Sequence, residues 1–266
     1  MRKFFVFVLV GAALAGAGIW QLSPQTIVMP ERVSLPAGSY TYRPAGEFRL
    51  GTRIVDPPMV QIHATRDLEI MRYQVTEAEY ARCTVDGACP HLGGGAVANY
   101  PQTGVNYTDA VAYARWFSGQ TGQRWRLPTD AEWMRAAAGR AFDDALPPEA
   151  NSGDPSRRWL ASYRREAALR SAPDPERHPT GSFADSDFGV ADMAGNVWEW
   201  TETCFQNGIL TQDGQAIAEG ADYCGVRSVQ GKHRAFVITF VRDARSGGCA
   251  AGVPPDFLGF RLVHEN

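Results

Sequence analysis

The fold is decided by the stretch Gly189-Val190-Ala191-Asp192-Met193-Ala194-Gly195-Asn196-Val197-Trp198-Glu199-Trp200. Two tryptophans flank one glutamate, and the two glycines permit tight backbone turns. Asp192 and Glu199 are hard oxygen donors that suit Ca²⁺ when carbonyl groups of the intervening turn converge with them. The alternative is that Asp192 and Asn196 cap turns while Trp198 or Trp200 fills the core. The spacing leaves both interpretations open.

Around this stretch, two capping boxes and one apolar repeat predict three helices. Residues 76–79 (Thr-Glu-Ala-Glu) start the first, which we expect to end near residue 82. Residues 108–119 repeat apolar side chains at helical spacing, and residues 129–132 (Thr-Asp-Ala-Glu) start the third helix. Arg126 and Glu132 are spaced to pair at the start of this third helix.

The remaining segments predict strands and loops. Residues 40–51 and 71–75 favour short strands. Residues 142–179 are polar, with scattered prolines, and predict a long surface excursion. Short strands beside a few helices indicate an irregular α+β domain.

The composition is that of an ordinary folded protein. Of 266 residues, 44% are hydrophobic and 21% are charged, and the formal net charge is −3. This charge gives no basis for binding nucleic acid or a membrane surface through the domain. The 27 glycines and 17 prolines favour turns and packed loops over long helices.

The N-terminus has the parts of a secretory signal. Arg2 and Lys3 precede an apolar run over residues 4–20, with small residues near its end. Cleavage after Ala15 or Ala17 would suit the pattern. An uncleaved run reaches the lower length limit of a bilayer span, and would anchor the domain to the inner membrane. A buried N-terminal helix is the alternative.

These features predict the domain organisation and the location. Residues 1–20 are expected to be a signal peptide or anchor, residues 21–37 a linker, and residues 38–266 a single domain. The expected location is the periplasm.

The cysteines predict disulfides, as suits an exported chain. Cys83 and Cys89 flank a short turn and are expected to pair locally. Among Cys204, Cys224 and Cys249 one further pair is expected, Cys204 with Cys224, which leaves one thiol. A metal site is the alternative, although no CxxC pair or nearby histidine accompanies these residues.

Five motifs follow one another along roughly residues 40–263, which is nearly the whole chain after the signal. They are Met71-Arg72-Tyr73-Gln74-Val75-Thr76-Glu77-Ala78-Glu79-Tyr80, Pro101-Gln102-Thr103-Gly104-Val105-Asn106-Tyr107-Thr108-Asp109-Ala110, Arg126-Leu127-Pro128-Thr129, the stretch 189–200, and Leu258-Gly259-Phe260-Arg261. In this order the series resembles the formylglycine-generating enzyme (sulfatase-modifying factor) family.

The resemblance implies a fold and a metal. The fold would be the family's irregular single α+β domain, related to the C-type lectin fold, with little regular secondary structure. Structural calcium is implied at two sites, one in the stretch 189–200 and one beginning at an Ala-Asn pair. By match, the ligands would be Asp192, Gly195, Val197 and Glu199 at the first site, and Asn151 and Ser152 at the second.

The chain departs from the family at the copper site. Members that oxidise a sulfatase cysteine use two cysteines in a CxxxxC arrangement soon after an Arg-Gly-Gly-Ser strand, and thiolates are what Cu(I) requires. The corresponding residues 226–240 contain no cysteine, and Lys232 and Val237 stand near the expected places. Cys224 and Cys249 do not restore the spacing. Copper and iron are therefore unsupported, no catalytic residue is assigned, and whether the chain is an enzyme stays open.

Basic side chains in and after this segment suggest a ligand groove. They would hold an anionic ligand where the family has its active site. A solvated strand end is the alternative, and a metal-binding histidine a further one. The residues concerned are Lys232, His233, Arg234, Arg242 and Arg245.

Three functions fit these observations. The first is an exported accessory, maturation or binding protein for a periplasmic protein or peptide, of the type that accompanies copper nitrite reductase (NirV-like). The turn between Cys83 and Cys89 resembles the one in those members. The second is an oxidoreductase that modifies a protein or peptide, by formylglycine generation or related non-haem metal chemistry. The third is a lectin-like module without chemistry. A fold likeness alone does not choose among them.

Overall fold

The computed structural model describes residues 27–92, 97–147, 150, 154–170, 176–245, 250–251 and 257–265. The expected signal segment, residues 1–20, lies outside these ranges. No helix within them is long and apolar enough to cross a bilayer. In chain order, the elements are β1 (Arg32–Leu35), β2 (Gly38–Tyr42), β3 (Gly46–Leu50), β4 (Arg53–Val55), β5 (Val60–Ala64), β6 (Leu68–Met71), α1 (Glu77–Val85), α2 (Tyr107–Thr121), β7 (Arg124–Arg126), α3 (Asp130–Ala136), α4 (Pro155–Arg170), β8 (Trp198–Leu210), β9 (Ile217–Gln230), β10 (Ala235–Ile238), β11 (Ala250–Ala251), β12 (Leu258–Gly259) and β13 (Val263–Glu265).

The elements are mixed and mostly short, which confirms the α+β fold class. The larger sheet has the strand order β11-β10-β9-β8-β3-β4, and β12 pairs with β8 beside this path. The long strands β8 and β9 are antiparallel, with Glu199 opposite Gln230 and register shifts beyond Trp200. This ribbon places the end of the stretch 189–200 against the segment where the family's cysteines were expected.

A second sheet joins distant parts of the chain, in the order β1-β6-β13-β7. In this sheet, Val263 of β13 lies between Ile70 of β6 and Arg126 of β7. The strand β1 corrects the expected linker at residues 21–37. Residues 32–35 pair with β6, and Leu35 is fully buried, so the folded domain begins before residue 38. A strand of four residues is too short for its alternating pattern to stand out from the turn-rich sequence around it.

The predicted capping boxes are confirmed. Thr76 and Glu79 exchange hydrogen bonds at the start of α1, and Thr129 and Glu132 do so at the start of α3. The helix α2 carries a third capping box, from Asn106, which the sequence analysis did not identify. It extends past the expected end to Gly122, whose φ of 66° closes the helix in the left-handed conformation.

The expected excursion over residues 142–179 contains the helix α4, of 16 residues. Pro155 stands at its first position, where the fixed φ suits a helix start. Arginine, alanine and leucine fill most of its second half, and these residues favour helix. Their run outweighs the scattered prolines that suggested an irregular loop.

Two apolar clusters form the core. One contains Trp198, Trp200 and a series of ring contacts from Tyr80 through Tyr113 to Phe117. The other surrounds Trp133 at α3. Both tryptophans of the stretch 189–200 are buried, so they fill the core as the structural interpretation of that stretch predicted.

Candidate functional site

The turn at residues 192–197 has an unusual backbone. Asp192, Ala194 and Asn196 have φ values of 60°, 58° and 59°, a region that residues other than glycine seldom adopt. The carboxylate of Asp192 accepts hydrogen bonds from the backbone N–H groups of Gly181 (2.6 Å) and Phe183 (2.9 Å). Burial raises the pKa of Asp192, although these donors oppose the rise. Side chains of the turn thus cap neighbouring backbone and hold this conformation.

Glu199 and Arg261 form an ion pair at the centre of the domain. Both side chains are fully buried, with Nε–Oε2 at 2.6 Å and Nη2–Oε1 at 2.7 Å. Gln74 Nε2 donates to Oε1 and Trp133 Nε1 donates to Oε2, each at 2.8 Å. Arg261 also donates to three backbone carbonyl oxygens, those of Met71, Arg72 and Ala191.

These contacts bear on the expected calcium ligands. Both oxygens of Glu199 and both oxygens of Asp192 already accept hydrogen bonds from N–H donors, and Arg261 neutralises Glu199. The two carboxylates as positioned therefore do not fit a calcium ion. Within the described ranges, no group of three His, Cys, Asp or Glu side chains is placed to hold a metal. Asn151 and Ser152 lie outside those ranges, and the calcium prediction stays a prediction.

The segment expected to carry the copper site is a strand, a turn and a second strand. β9 ends at Gln230, and β10 pairs with it from Ala235. Lys232 lies in the turn, with its Nζ 6.0 Å from the centroid of the Trp198 ring. Val237 is fully buried in β10. Of the two positions where the family has its cysteines, one thus lies in a turn and the other lies in the core.

The basic residues expected to line one groove have separate partners. His233 contacts the Trp198 ring, next to Lys232. Arg242 forms an ion pair with Asp109 at 2.7 Å, and Arg245 forms one with Asp243 at 2.5 Å. Arg234 is almost fully buried beneath the turn and pairs with acidic side chains there. The structure therefore does not bring these five side chains together as one open cationic groove.

A buried polar cluster surrounds Asp130, and no pattern in the sequence predicted it. Asp130 has no exposed surface, and its carboxylate accepts hydrogen bonds from Tyr42 Oη (2.5 Å), Ser228 Oγ (2.5 Å) and Gln230 Nε2 (2.7 Å). Arg234 Nη2 lies 3.0 Å from the same carboxylate. Burial, and then the charge of Asp130, raise the pKa of Tyr42. Asp130 directly follows a helix N-cap, where acidic residues are common, so its place in the sequence does not indicate burial.

A groove of about 530 Å³ lies beside this cluster, and we name it the Arg227 groove. The Cζ of Arg227 lies 4.4 Å from the centroid of the Tyr107 ring, in cation–π contact. Its Nη1 donates to the carbonyl oxygen of Glu202. The Nε of Arg227 is buried and has no hydrogen-bond partner in the described part of the chain. The groove is lined by Tyr42, Pro44, Ala45, Tyr107, Thr129, Glu202, Thr203, Cys204, Gln206, Asp222 and Arg227.

Both predicted disulfides are present. Cys83 is bonded to Cys89 across a sequence separation of 6, and Cys204 to Cys224 across a separation of 20. The second bond joins β8 to β9 at the Arg227 groove. Cys249 lies outside the described residues. Every described cysteine is therefore in a disulfide, and none is placed as a thiolate ligand.

Comparisons with known proteins agree with this fold. The family model described as the sulfatase-modifying factor enzyme 1-like domain matches residues 20–266. A formylglycine-generating enzyme of Mycobacterium tuberculosis is 41% identical over 113 residues, which are 41% of this chain and 35% of the relative. One of Streptomyces coelicolor is 37% identical over 180 residues, or 63% of this chain and 53% of the relative.

Two further comparisons mark the limits of the likeness. A bovine protein named inactive C-alpha-formylglycine-generating enzyme 2 is 29% identical over 171 residues, or 62% of this chain and 50% of the relative. The chain therefore spans between a third and about half of the length of these relatives. The structure of PvdO from Pseudomonas aeruginosa has a TM-score of 0.54 and 24% identity, covers 89% of this chain and 95% of that one, and shares the fold. Because the family model covers almost the whole sequence, this chain belongs to the sulfatase-modifying factor enzyme 1-like domain family.

Proposed function

We propose that this protein is an exported accessory or binding member of the family, which acts on a periplasmic protein or peptide without a copper–thiolate centre. One observation carries the proposal. The segment that would hold the two cysteines contains Lys232 at a turn and Val237 inside the core, and the described cysteines are all in disulfides. A family relative named as inactive offers a precedent for the fold without the oxidase activity.

The Arg227 groove is the proposed contact site for the partner. Its buried Nε donor has no hydrogen-bond partner among the described residues, and a buried donor left unpaired costs about 1–3 kcal/mol. Because this atom has almost no exposed surface, a carbonyl or carboxylate oxygen of a bound peptide would satisfy it once the partly buried Arg227 side chain turns toward the groove. Tyr107 supplies an aromatic face beside this donor, and Tyr and Arg are, with Trp, enriched among the residues that contribute most to binding at the centre of protein interfaces. The NirV-like role is the specific form of this proposal.

Oxidase activity is tested directly. The purified protein is loaded with Cu(I), mixed with a sulfatase peptide that contains the CxPxR motif, and assayed for oxygen consumption and for formylglycine by mass spectrometry. We expect neither. A Cys249→Ser variant is assayed in parallel, since Cys249 is the one cysteine outside the two disulfides. Turnover by the wild-type chain that this variant loses would overturn the proposal and support the oxidoreductase alternative.

Partner binding is tested in cells of the source organism. A photo-crosslinking residue is placed at Asp222 in the groove, and a matched one at the exposed Val85 on α1. We expect a discrete adduct only from position 222, and its loss when Arg227→Ala is added. Equal adducts at both positions, or an adduct that Arg227→Ala leaves unchanged, would contradict the proposed contact site.

A further inference from the structure

The two described disulfides differ in their exposure to solvent. Cys83 and Cys89 are buried, with 0% and 6% of their surface exposed. Cys224 is exposed on β9, and its partner Cys204 is partly buried at the Arg227 groove. Thiol–disulfide exchange begins when a thiolate attacks one sulfur of the bond, and its rate depends on access. Of these four cysteines, Cys224 is therefore the one that a thiolate from solution can approach most readily.

Arg227 lies across the ribbon from Cys204. The two residues are opposite each other in the register of β8 and β9. Side chains opposite each other in an antiparallel pair stand on the same face, with Cβ atoms about 5 Å apart. Both residues line the Arg227 groove, as this placement requires. A negative charge on Cys204 would therefore arise beside the guanidinium of Arg227.

The positive charge of Arg227 has only neutral partners. The guanidinium donates to the carbonyl oxygen of Glu202 and contacts the ring of Tyr107, whose pKa is raised by burial. In the described part of the chain, no carboxylate lies within ion-pair distance of it. The intact disulfide is uncharged and does not balance this cation. A thiolate at Cys204 would balance it, because a nearby arginine stabilises the charged form of a cysteine.

The acidic side chains at the groove do not reverse this preference. Arg126 lies 3.5 Å from the carboxylate of Glu202 and offsets its charge. Asp222 is exposed and lies two positions from Cys224 on β9, so its charge acts mainly on that end of the bond. The nearby charges therefore favour a thiolate on Cys204 and disfavour one on Cys224. Attack at the exposed sulfur thus releases the sulfur whose negative charge is stabilised.

We propose that the Cys204–Cys224 bond is a thiol–disulfide exchange site for an exported partner protein that carries a reduced cysteine. The thiolate of the partner attacks Sγ of Cys224, and a disulfide forms between the two proteins. The bond to Cys204 breaks, and its electron pair leaves on Sγ of Cys204 as a thiolate beside Arg227. One disulfide and one thiolate are consumed and one of each is formed, so the step needs no further oxidant or reductant. The inference rests on the proposed function in one respect, which is that the partner reaches the Arg227 groove.

Exchange is measured on the full chain with a small thiol, so that the result does not depend on the partner. The protein is incubated with reduced glutathione near neutral pH, quenched at intervals with N-ethylmaleimide, and analysed by peptide mass spectrometry, which separates the two disulfides. We expect the Cys204–Cys224 bond to react at least about tenfold faster than the buried Cys83–Cys89 bond. At early times, glutathione should be found on Cys224 and maleimide on Cys204.

Variants of Arg227 test the stabilisation of the leaving thiolate. Arg227→Met removes the charge and should slow exchange at Cys204–Cys224 by about fivefold or more, whereas Arg227→Lys should keep most of the rate. The matched control Arg115→Met, at an exposed position on α2, should leave the rate unchanged. Circular dichroism and thermal unfolding confirm that each variant is folded. A purely structural role of Arg227 predicts the opposite sign, because a loosened ribbon would expose the bond and speed its reduction.

The free thiols give an independent measurement. In Cys224→Ser the thiol of Cys204 is free, and in Cys204→Ser that of Cys224 is free. Near neutral pH, iodoacetamide should alkylate Cys204 several times faster than Cys224, because more of Cys204 is thiolate. Adding Arg227→Met should remove the difference.

Three results would overturn the proposal. The first is equal reactivity of the two disulfides, the second is glutathione on Cys204 instead of Cys224, and the third is a rate that Arg227→Met leaves unchanged or raises. Failure of the proposed function has a different signature, which is normal exchange with glutathione but no photo-adduct from position 222. An adduct without exchange would keep the contact site and refute the exchange reaction.

Discussion

Glu199 and Arg261 connect four separate segments through their side chains. Their partners lie before α1, in α3, in the turn preceding β8 and after β12. Transfer of each ion from water to the interior costs several kcal/mol of free energy. A buried charge is therefore tolerated only while the opposite charge lies beside it. The pair therefore acts as one unit, and neither member is replaceable alone.

Replacing Glu199 tests this dependence. Glu199→Gln keeps the shape but leaves the charge of Arg261 uncompensated, so we expect the free energy of unfolding to fall by about 3–5 kcal/mol. Urea denaturation measures it. Glu47→Gln, which breaks the exposed pair with Arg49, serves as the control and should cost less than about 1 kcal/mol. Similar losses in both variants would show that the buried pair has no special role.

Glu132 gives the domain a defined response to acid. Burial raises its pKa, but the hydrogen bonds and charge of Arg126, together with the Thr129 donors, outweigh burial and bring the pKa below its usual 4.5. A carboxyl with a lowered folded-state pKa stabilises the fold above its unfolded-state pKa. This contribution is lost as the pH falls through the folded-state pKa.

Urea unfolding between about pH 3 and pH 6 measures the effect. We expect the wild-type stability to fall steeply below about pH 4.5. Glu132→Gln should be less stable near pH 6, and its stability should fall less steeply with acid. Parallel curves for the two proteins would refute the assignment to Glu132.

Pairs close in the chain were predictable, and distant ones were not. Arg126 lies just before α3 and Glu132 lies in its first turn. This short spacing predicted the ion pair that the structure shows. Arg261 and Glu199 are 62 positions apart, and no local pattern relates them. Asp130 resembled an ordinary first-turn acid, and only the approach of Tyr42 and Arg234 from elsewhere makes it a buried centre.

Among the elements, the ribbon of β8 and β9 is crosslinked by the disulfide between Cys204 and Cys224. The strands lose their regular register between Trp200 and Phe205, next to this bond. Closing a loop of 20 residues restricts the conformations of the unfolded chain. In the chain-entropy model this contributes about 3 kcal/mol to the free energy of unfolding. The bond thus holds the ribbon where regular pairing is interrupted, beside the Arg227 groove.

Removal of this bond has a measurable cost. The double variant Cys204→Ser with Cys224→Ser should lose about 3 kcal/mol of unfolding free energy in urea. The comparison is made with the wild-type chain in the same non-reducing buffer, where the Cys83–Cys89 bond stays intact in both proteins. A loss below about 1 kcal/mol would show that strand pairing alone holds the ribbon.

Elements with strong local signals were predicted well. The capping boxes of α1 and α3 fixed their starts within a residue, since the interacting groups are three positions apart. β1 and α4 were missed for different reasons. β1 is a strand only because β6 pairs with it, and α4 lies in a segment whose prolines indicated a loop.

At the scale of the whole molecule, a bound calcium ion would be coordinated by residues from several segments. An ion that binds only the folded state raises the thermal midpoint. Because N–H donors already occupy the carboxylates of Asp192 and Glu199, we expect any response of the midpoint to EDTA or to added calcium to be the same in the wild-type chain and in Asp192→Asn. Differential scanning calorimetry checks this. A rise with calcium that Asp192→Asn removes would show that the ion displaces those donors, as the family resemblance implies.

Export is the second prediction that concerns the whole molecule. With a C-terminal tag, the protein should reach the periplasm, and N-terminal sequencing should find the chain beginning after Ala15 or Ala17. Replacing Arg2 and Lys3 by glutamate should retain the precursor in the cytoplasm, because the positive start of the signal is lost. An intact N-terminus in the membrane fraction would support the anchor, and an intact one in the cytoplasm would contradict export.

The position of β13 between β6 and β7 has a consequence for biosynthesis. A ribosome that has completed residue 240 has made most of the helices and strands, but the second sheet still lacks β13, which joins β6 to β7. Glu199 still lacks the guanidinium that neutralises it. We therefore expect the nascent chain to stay incompletely folded until residues 258–265 emerge. Such a delay would keep the polypeptide threadable, which is the condition that the proposed export through a translocation channel requires.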